Sequence, residues 1–328
     1  MTAIRGYVAP TAAEGAIGVH SLDRFTIAVP DLKDAQTFYS DFGLDVEETG
    51  NALALKTFGN DQRWGHVVEG KRKKLHHLSF GCYAEDLAAL RQRAEQNGVK
   101  LVDAPEGFES NGFWMRDPTG VLLEIKVAPK TSPDDKSTVE WASAPPGKPG
   151  ATIRANAGRV RPRRLAHFLC FTNMLEQSLE FYGRNLGLRL SDRTNGVAFM
   201  HGIHGSDHHM VAFAMSDAPG MHHCSWDVAQ INDIGLGAMT MADKGWTRGW
   251  GLGRHVLGSN YFHYVQDPWG SFAEYSCDID YIPKATDWGP RHHDDENSFY
   301  LWGPQPPGDF VVNFESDKAE PFAPARSP

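Results

Sequence analysis

Short runs in which apolar and polar residues alternate make up much of this chain, and between them lie stretches whose apolar positions recur at the helical period. The runs predict half-buried strands and the stretches predict amphipathic helices. The pattern also repeats. LDRFTIAVPDLKDAQTFYSDFGLDV at 22–46 and LAHFLCFTNMLEQSLEFYGRNLGLRL at 165–190 both read as strand, Asp or Asn turn, amphipathic helix with a Phe-Tyr pair (Phe38, Tyr39; Phe181, Tyr182) and a Gly-Leu exit (Gly43, Leu44; Gly187, Leu188). Downstream, KLHHLSFGC at 74–82 mirrors GMHHCSWDV at 220–228, and RDPTGVLLEI at 116–125 mirrors QDPWGSFAEY at 266–275. Each half is expected to hold two units of strand, helix and hairpin, with Asp-Pro-x-Gly turns.

Between the halves, Ala128 to about Arg161 contains Pro129, Pro133, Pro145, Pro146 and Pro149 without apolar periodicity, which predicts a linker. The expected boundaries are a first domain at 15–128, a linker at 129–160, a second domain at 161–283 and a tail at 284–328. Within the tail, WGPRHHDDENSFYLWGP is aromatic enough to fold back on the second domain, whereas ESDKAEPFAPARSP is too polar and Pro-rich to pack.

Composition narrows the function. With 32 Lys+Arg against 41 Asp+Glu, the net charge is -9 and no long basic run offers an anchor for phosphate backbones. No apolar stretch approaches the roughly 18 residues that span a bilayer, and MTAIRGYVAP lacks the apolar core of a leader. A cytoplasmic protein without nucleic-acid or membrane partners is expected. Cys82, Cys170, Cys224 and Cys277 form no CxxC pair and read as reduced thiols; Cys170 and Cys224 read as small apolar packing residues. The 15 histidines are unusual, and they cluster.

The two copies differ where chemistry would sit. The second half carries His167, His223 and Glu274 in columns that read Thr26, His77 and Glu124 in the first. Two imidazoles and one carboxylate, from three strands facing one cavity, make a facial ligand set that leaves positions open on an octahedral metal, suited to Fe(II) or Mn(II) and oxygen chemistry. Taken singly, each is as well read as a hydrogen-bonded core side chain. Alignment of Met221-His222-His223 with Leu165-Ala166-His167 puts His223 in the ligand column, and strand alternation sends His222 to the opposite face. The tail residues His292, His293, Asp294 and Asp295 read as a solvated loop rather than a second metal site. Trp246, Trp250, Trp269 and Trp288 are candidates for an aromatic pocket or for core packing.

LAHFLCF, HHMVAF, GMHHCSW and the Gly-x-His to Tyr-x-x-Asp-Pro-x-Gly-x-x-x-Glu run that ends at Glu274 together resemble the type I extradiol ring-cleavage dioxygenases of the vicinal oxygen chelate superfamily. The resemblance spans roughly residues 15–283 and departs at His263, where that family usually carries an aliphatic residue or Phe. It implies an α+β fold of two tandem domains, each of two βαβββ modules forming an open, barrel-like sheet, with the metal in the C-terminal domain and a non-catalytic N-terminal copy. It implies His167, His223 and Glu274 as ligands of Fe(II), with Mn(II) as an alternative, and a catechol and dioxygen as the small-molecule partners in a homo-oligomer. It further implies His209 as the acid-base residue, working near its ordinary pKa, and His255 and Tyr264 as partners of the substrate oxygens. His208 competes with His209, although alternation points it away from the cavity. The product implied is a ring-opened semialdehyde. Two other functions fit the same scaffold: a metal-free ligand-sequestering protein, which would have no use for the ligand set, and a glyoxalase-type isomerase or lyase, which commonly draws ligands from two domains.

Overall fold

The structure, a computed structural model, describes residues 11–139, 144–284, 286–320 and 322. The first half runs β1 (Val19–Val29), α1 (Leu32–Phe42), β2 (Asp45–Glu48), β3 (Ala52–Lys56), β4 (Gly65–Glu69), β5 (Lys74–Cys82), α2 (Leu87–Gln96), β6 (Leu101–Val102), β7 (Phe113–Arg116) and β8 (Leu122–Val127). The second half repeats this with β9 (Arg164–Thr172), α3 (Leu175–Phe181), β10 (Arg189–Arg193), β11 (Val197–His201), β12 (Ser206–Asp207), β13 (Val211–Met215), β14 (Gly220–Asp227), α4 (Ile231–Asp243), β15 (Gly249–Arg254), β16 (Tyr261–Gln266) and β17 (Phe272–Cys277). The tail adds β18 (Tyr281–Ile282), β19 (Arg291–His292) and α5 (Asp295–Ser298). Each half therefore contains two βαβββ modules, with one short extra strand in the second.

The two sheets have the same plan. Their orders are β2-β3-β4-β1-β5-β8-β7-β6 and β15-β16-β17-β14-β9-β13-β11-β10-β19. The first strands of paired modules meet antiparallel at the centre, β1 on β5 and β9 on β14, and each also runs parallel to the last strand of its own module. Local chemistry explains the repeating joints. Asp31 caps α1 by accepting from the backbone N–H groups of Lys33 and Asp34, and Gly43 ends it at φ 111°. A Cβ at Gly43 would lie 2.4 Å from the Val160 carbonyl oxygen, so the close approach of the chain before β9 also requires glycine there. In both Asp-Pro-x-Gly turns one aspartate oxygen accepts two backbone N–H groups, from Thr119 and Val121 at Asp117 and from Trp269 and Ser271 at Asp267.

A single hydrophobic cluster runs through both halves. Phe42 stacks on Tyr275 with ring centroids 3.8 Å apart, and Phe25 meets Phe168 at 5.2 Å. The predicted linker contains no strand among its described residues and begins packed rather than free. Thr131 and Ser132 donate their N–H groups to Ser21 Oγ, and buried Lys130 donates to three carbonyls. Residues 140–143 of it lie outside the described residues.

The tail corrects an expectation. Its aromatic part does fold back, with Phe299 stacked on Trp250 at 4.9 Å. However, ESDKAEPFAPARSP also packs at its start, where Glu315 is buried and pairs with buried Lys73 at 2.7 Å. The Glu315 oxygens also accept the N–H groups of Leu75 and Met221, so the charge is satisfied without water. Residues 321 and 323–328 lie outside the described residues. Among the described residues no helix is long and apolar enough to cross a membrane.

Candidate metal centre

Strand register assembles the centre. Ser225 on β14 pairs with His167 on β9 on one side and with Glu274 on β17 on the other, so the imidazole and the carboxylate flank one small side chain in a line across three strands. His223, two residues before Ser225, shares its face. The donor atoms of His167, His223 and Glu274 all lie within 4.8 Å of one another, and all three residues are buried. Glu274 Oε2 is 3.0 Å from His167 Nε2 and 3.5 Å from His223 Nε2.

The set fits a divalent cation. His223 Nε2 and Glu274 Oε2 are buried and have no hydrogen-bond partner in the protein. Such atoms are costly unless something else satisfies them. Two imidazoles and a carboxylate, without a thiolate, are the donors that an Fe(II) or Mn(II) ion with open positions takes. The other Glu274 oxygen is held: Asn260 Nδ2 donates to Oε1 at 3.1 Å and to Ser276 Oγ at 3.0 Å. Sequence reasoning missed Asn260 and Ser225. Asn260 stands in no repeated motif; Ser225 lies in the repeated His-His strand opposite Ser79, and that repeat was the signal that could have found it.

The adjacent histidines His222 and His223 correct another expectation. The register of β14 against β9 slips between Met221 and His223, leaving His222 as the extra residue of a β-bulge. Alternation fails there, and His222 lines the same cavity as His223 instead of the opposite face. Its Nε2 is 2.8 Å from the Phe310 carbonyl oxygen, and its Nδ1 is 2.7 Å from His223 Nδ1. A carbonyl can only accept, so His222 carries its proton on Nε2 and accepts from His223 Nδ1–H. That leaves His223 Nε2 as a lone pair facing Glu274.

A cavity of about 270 Å³ adjoins the set, and His209, His255 and Tyr264 line it together with His167 and His223. The His209 ring lies 4.1 Å from that of His167, and His255 Nε2 is 2.9 Å from Tyr264 Oη. His208 is fully buried and does not line the cavity; its Nε2 binds Asp192 instead. Leu169, Val197, Phe199, Leu257, Phe299 and Phe310 supply apolar walls, and no Lys or Arg is among the described lining residues.

Burial sets most of the proton affinities. It pushes His209 well below 6.5, aided by the neighbouring His167, so His209 does not sit at its ordinary pKa as expected. Burial likewise lowers His255 and raises Tyr264 well above 10, the latter with help from the Glu274 charge. For Glu274 burial pushes upward, yet the close His167 imidazole and the charge of His255 hold its carboxyl below the usual range.

The remaining candidates sit elsewhere. His293 binds Asp192 and His292 binds Asn195, and the set above is the one metal-competent group among the described residues. Trp250 packs behind Tyr264, Trp246 meets Phe38, Trp269 packs against the main core, and Trp288 bonds Asp192. Cys170 and Cys224 are buried free thiols, the second pushed up to about 12 by burial, which keeps it a thiol.

The sequence profile of the Glyoxalase/Bleomycin resistance protein/Dioxygenase superfamily matches residues 21–125 and 164–275. The chain is 49% identical over 300 residues to Metapyrocatechase 2 of Cupriavidus necator, covering 91% of this chain and 93% of that protein. Its fold matches the Mn(II)-bound glyoxalase from Novosphingobium aromaticivorans with a TM-score of 0.72 at 22% identity, over 90% of this chain and 94% of the other. It also matches homoprotocatechuate 2,3-dioxygenase from Brevibacterium fuscum, solved with 3,4-dihydroxyphenylacetate, with a TM-score of 0.72 at 19% identity, over 93% and 95% of the two chains.

Proposed function

The chain belongs to the Glyoxalase/Bleomycin resistance protein/Dioxygenase superfamily, and from that premise we propose that it is an extradiol dioxygenase that opens a catechol ring next to the diol with dioxygen. The observation that carries this reading is the buried His167, His223 and Glu274 set, with two donor atoms left unpaired against an apolar cavity. Fe(II) is the ion proposed, with Mn(II) the alternative. The second half is the catalytic domain, at 161–283, and the first, at 15–128, is its non-catalytic copy, joined by the linker at 129–160 and followed by the tail from 284. The enzyme is a cytoplasmic homo-oligomer whose partners are the catechol and dioxygen.

His167, His223 and Glu274 would hold the ion, which supplies Lewis acidity and the one-electron chemistry that lets a closed-shell diol react with triplet dioxygen. The protein's own groups do the rest. The apolar walls exclude water and take the unreactive face of the ring. Absence of a lining Lys or Arg favours a neutral catechol over one bearing a carboxylate, whose charge would be desolvated without a partner. Neutral His209 takes one hydroxyl proton as the substrate binds and returns it as the ring opens. His255 gives its Nδ1–H to the Phe299 carbonyl and accepts the Tyr264 hydroxyl proton on Nε2, so the Tyr264 oxygen is turned to accept from, and orient, a substrate hydroxyl. Both oxygen atoms of dioxygen end in the ring-opened semialdehyde.

All three ligand residues come from one half, and unpaired donor atoms have no use in a metal-free sequestering protein; both points favour the oxygenase over the other two readings. Oxygen uptake with the ferrous-loaded protein tests it. Catechol should drive stoichiometric uptake with the visible absorbance of a semialdehyde, and 3,4-dihydroxyphenylacetate should be a poorer substrate. Metal binding without oxygen uptake on any of a panel of catechols would overturn the proposal.

A further inference from the structure

A chain of hydrogen bonds leads from the cavity back through the second sheet. His209 Nδ1 lies 3.0 Å from His208 Nδ1, and His208 Nε2 lies 2.9 Å from Asp192 Oδ2 on β10. Asp192 is buried and held from several sides. Trp288 Nε1 donates to Oδ2 at 3.0 Å, while His293 Nε2 and the Arg291 backbone N–H reach Oδ1 at 2.8 and 3.2 Å. Burial pushes this carboxyl upward, but the bonds from His208, Trp288 and His293 hold it well below the usual carboxylate range. The tail histidine His293, which contributes nothing to the metal set, thus has its role at the end of this chain.

A neutral imidazole has one N–H and one lone pair, and an ionised carboxylate can only accept. When His208 gives its Nε2–H to Asp192, its lone pair is on Nδ1 and accepts from His209 Nδ1–H. The lone pair of His209 is then on Nε2. We propose that Asp192 and His208 are positioning residues that hold His209 as its Nδ1–H tautomer and so reserve Nε2 for the substrate proton. Strand alternation makes His208 an idle neighbour of His209; in the folded chain it is the middle link. The pair His222 and His223 uses the same device, ending on the Phe310 carbonyl and freeing Nε2 of His223 toward Glu274. One site therefore orients both a ligand and its acid-base group through an adjacent histidine. A buried aspartate does this for the histidine of a serine-protease triad, where the amide replacement keeps the geometry and loses the tautomer.

The proposal rests on the reading of His209 as the group that moves the proton, and two measurements keep the ideas apart. Ring ¹⁵N spectra of the full chain loaded with diamagnetic zinc should show His209 protonated on Nδ1 and bare on Nε2. In Asp192→Asn that assignment should be lost and kcat of the ferrous enzyme should fall on the order of 10²-fold. KM for catechol and bound metal should hold, and Asp192→Glu should recover most of the rate and the wild-type tautomer. A wild-type His209 protonated on Nε2 would overturn the proposal without any variant, as would an Asp192→Asn enzyme with unchanged kcat. If His209→Asn turned over at the wild-type rate, the acid-base reading would fall, and the spectra would still judge the hydrogen-bond chain by themselves.

Discussion

The two halves carry the same fold and, in nearly the same columns, opposite solutions for a buried carboxylate. Even the bulge is duplicated. The register of β1 against β5 slips so that His76 is the extra residue beside His77, as His222 is beside His223. In the first half, however, the polar groups in these columns find their partners within the protein. His77 Nε2 meets Thr26 Oγ1 at 3.1 Å, Ser79 donates to Glu124, and Lys126 places an ammonium 3.7 Å from the same carboxylate. In the second half, His167 replaces Thr26 and Ser276 stands in the column of Lys126, while His223 Nε2 and Glu274 Oε2 go without partners. A carboxylate that brings its own cation is a structural element. One that faces imidazoles instead of an ammonium is built for a cation that arrives from outside.

The most direct way to break this comparison is to convert one half toward the other. His167→Thr, which copies the first half, should abolish bound iron and oxygen uptake while leaving the thermal transition cooperative, as should His223→Ala and Glu274→Ala. Glu124→Ala should change neither iron content nor uptake. Metal lost from Glu124→Ala but kept by Glu274→Ala would reverse the assignment of the halves.

His209→Asn should retain stoichiometric metal and bind catechol, yet slow turnover by about 10²- to 10⁴-fold, the usual contribution of a positioned acid-base group. Iron content measured beside turnover decides this, because loss of iron would make His209 a ligand. A smaller effect is expected at Asn260, which orients Glu274 without reaching the ion. Asn260→Ala should weaken metal affinity by roughly 10- to 100-fold in a chelator competition and leave the ferrous-saturated rate closer to wild type.

The smallest effect sharpens the comparison from the first half. Burial, with the charges of His76 and Arg24, lowers His77 from 6.5 to about 2. Above pH 6.5 neither state binds this proton; below it the unfolded chain does and the folded chain does not, so stability falls as pH drops through that window. The slope from one such group is up to about 1.4 kcal/mol per pH unit. His77→Gln should flatten the acid limb of urea-unfolding stability by up to that amount and leave iron content unchanged. An unaltered acid limb would show that His77 titrates normally.

Much of the site was legible because duplication supplied its own alignment. The repeated Phe-Tyr helices, His-His strands and Asp-Pro-x-Gly turns dictate one topology twice, since each is a local signal of period, cap or turn. The same alignment exposed His167 against Thr26 and put Glu274 on the last strand of its module. Tertiary structure decided what local signals cannot carry. Alternation assumes an uninterrupted ladder, and one bulged residue brought His222 to the cavity wall. Asn260, Asp192 and the middle role of His208 depend on bonds between a connecting segment and a strand, where periodicity says nothing about which atom faces which. Glu315 reads as tail because its neighbours are polar, and it is buried because Lys73, from the other half of the chain, is there to pair with it. Sequence determines which face of an element is apolar. The partner of each buried polar atom is settled when the elements close around it.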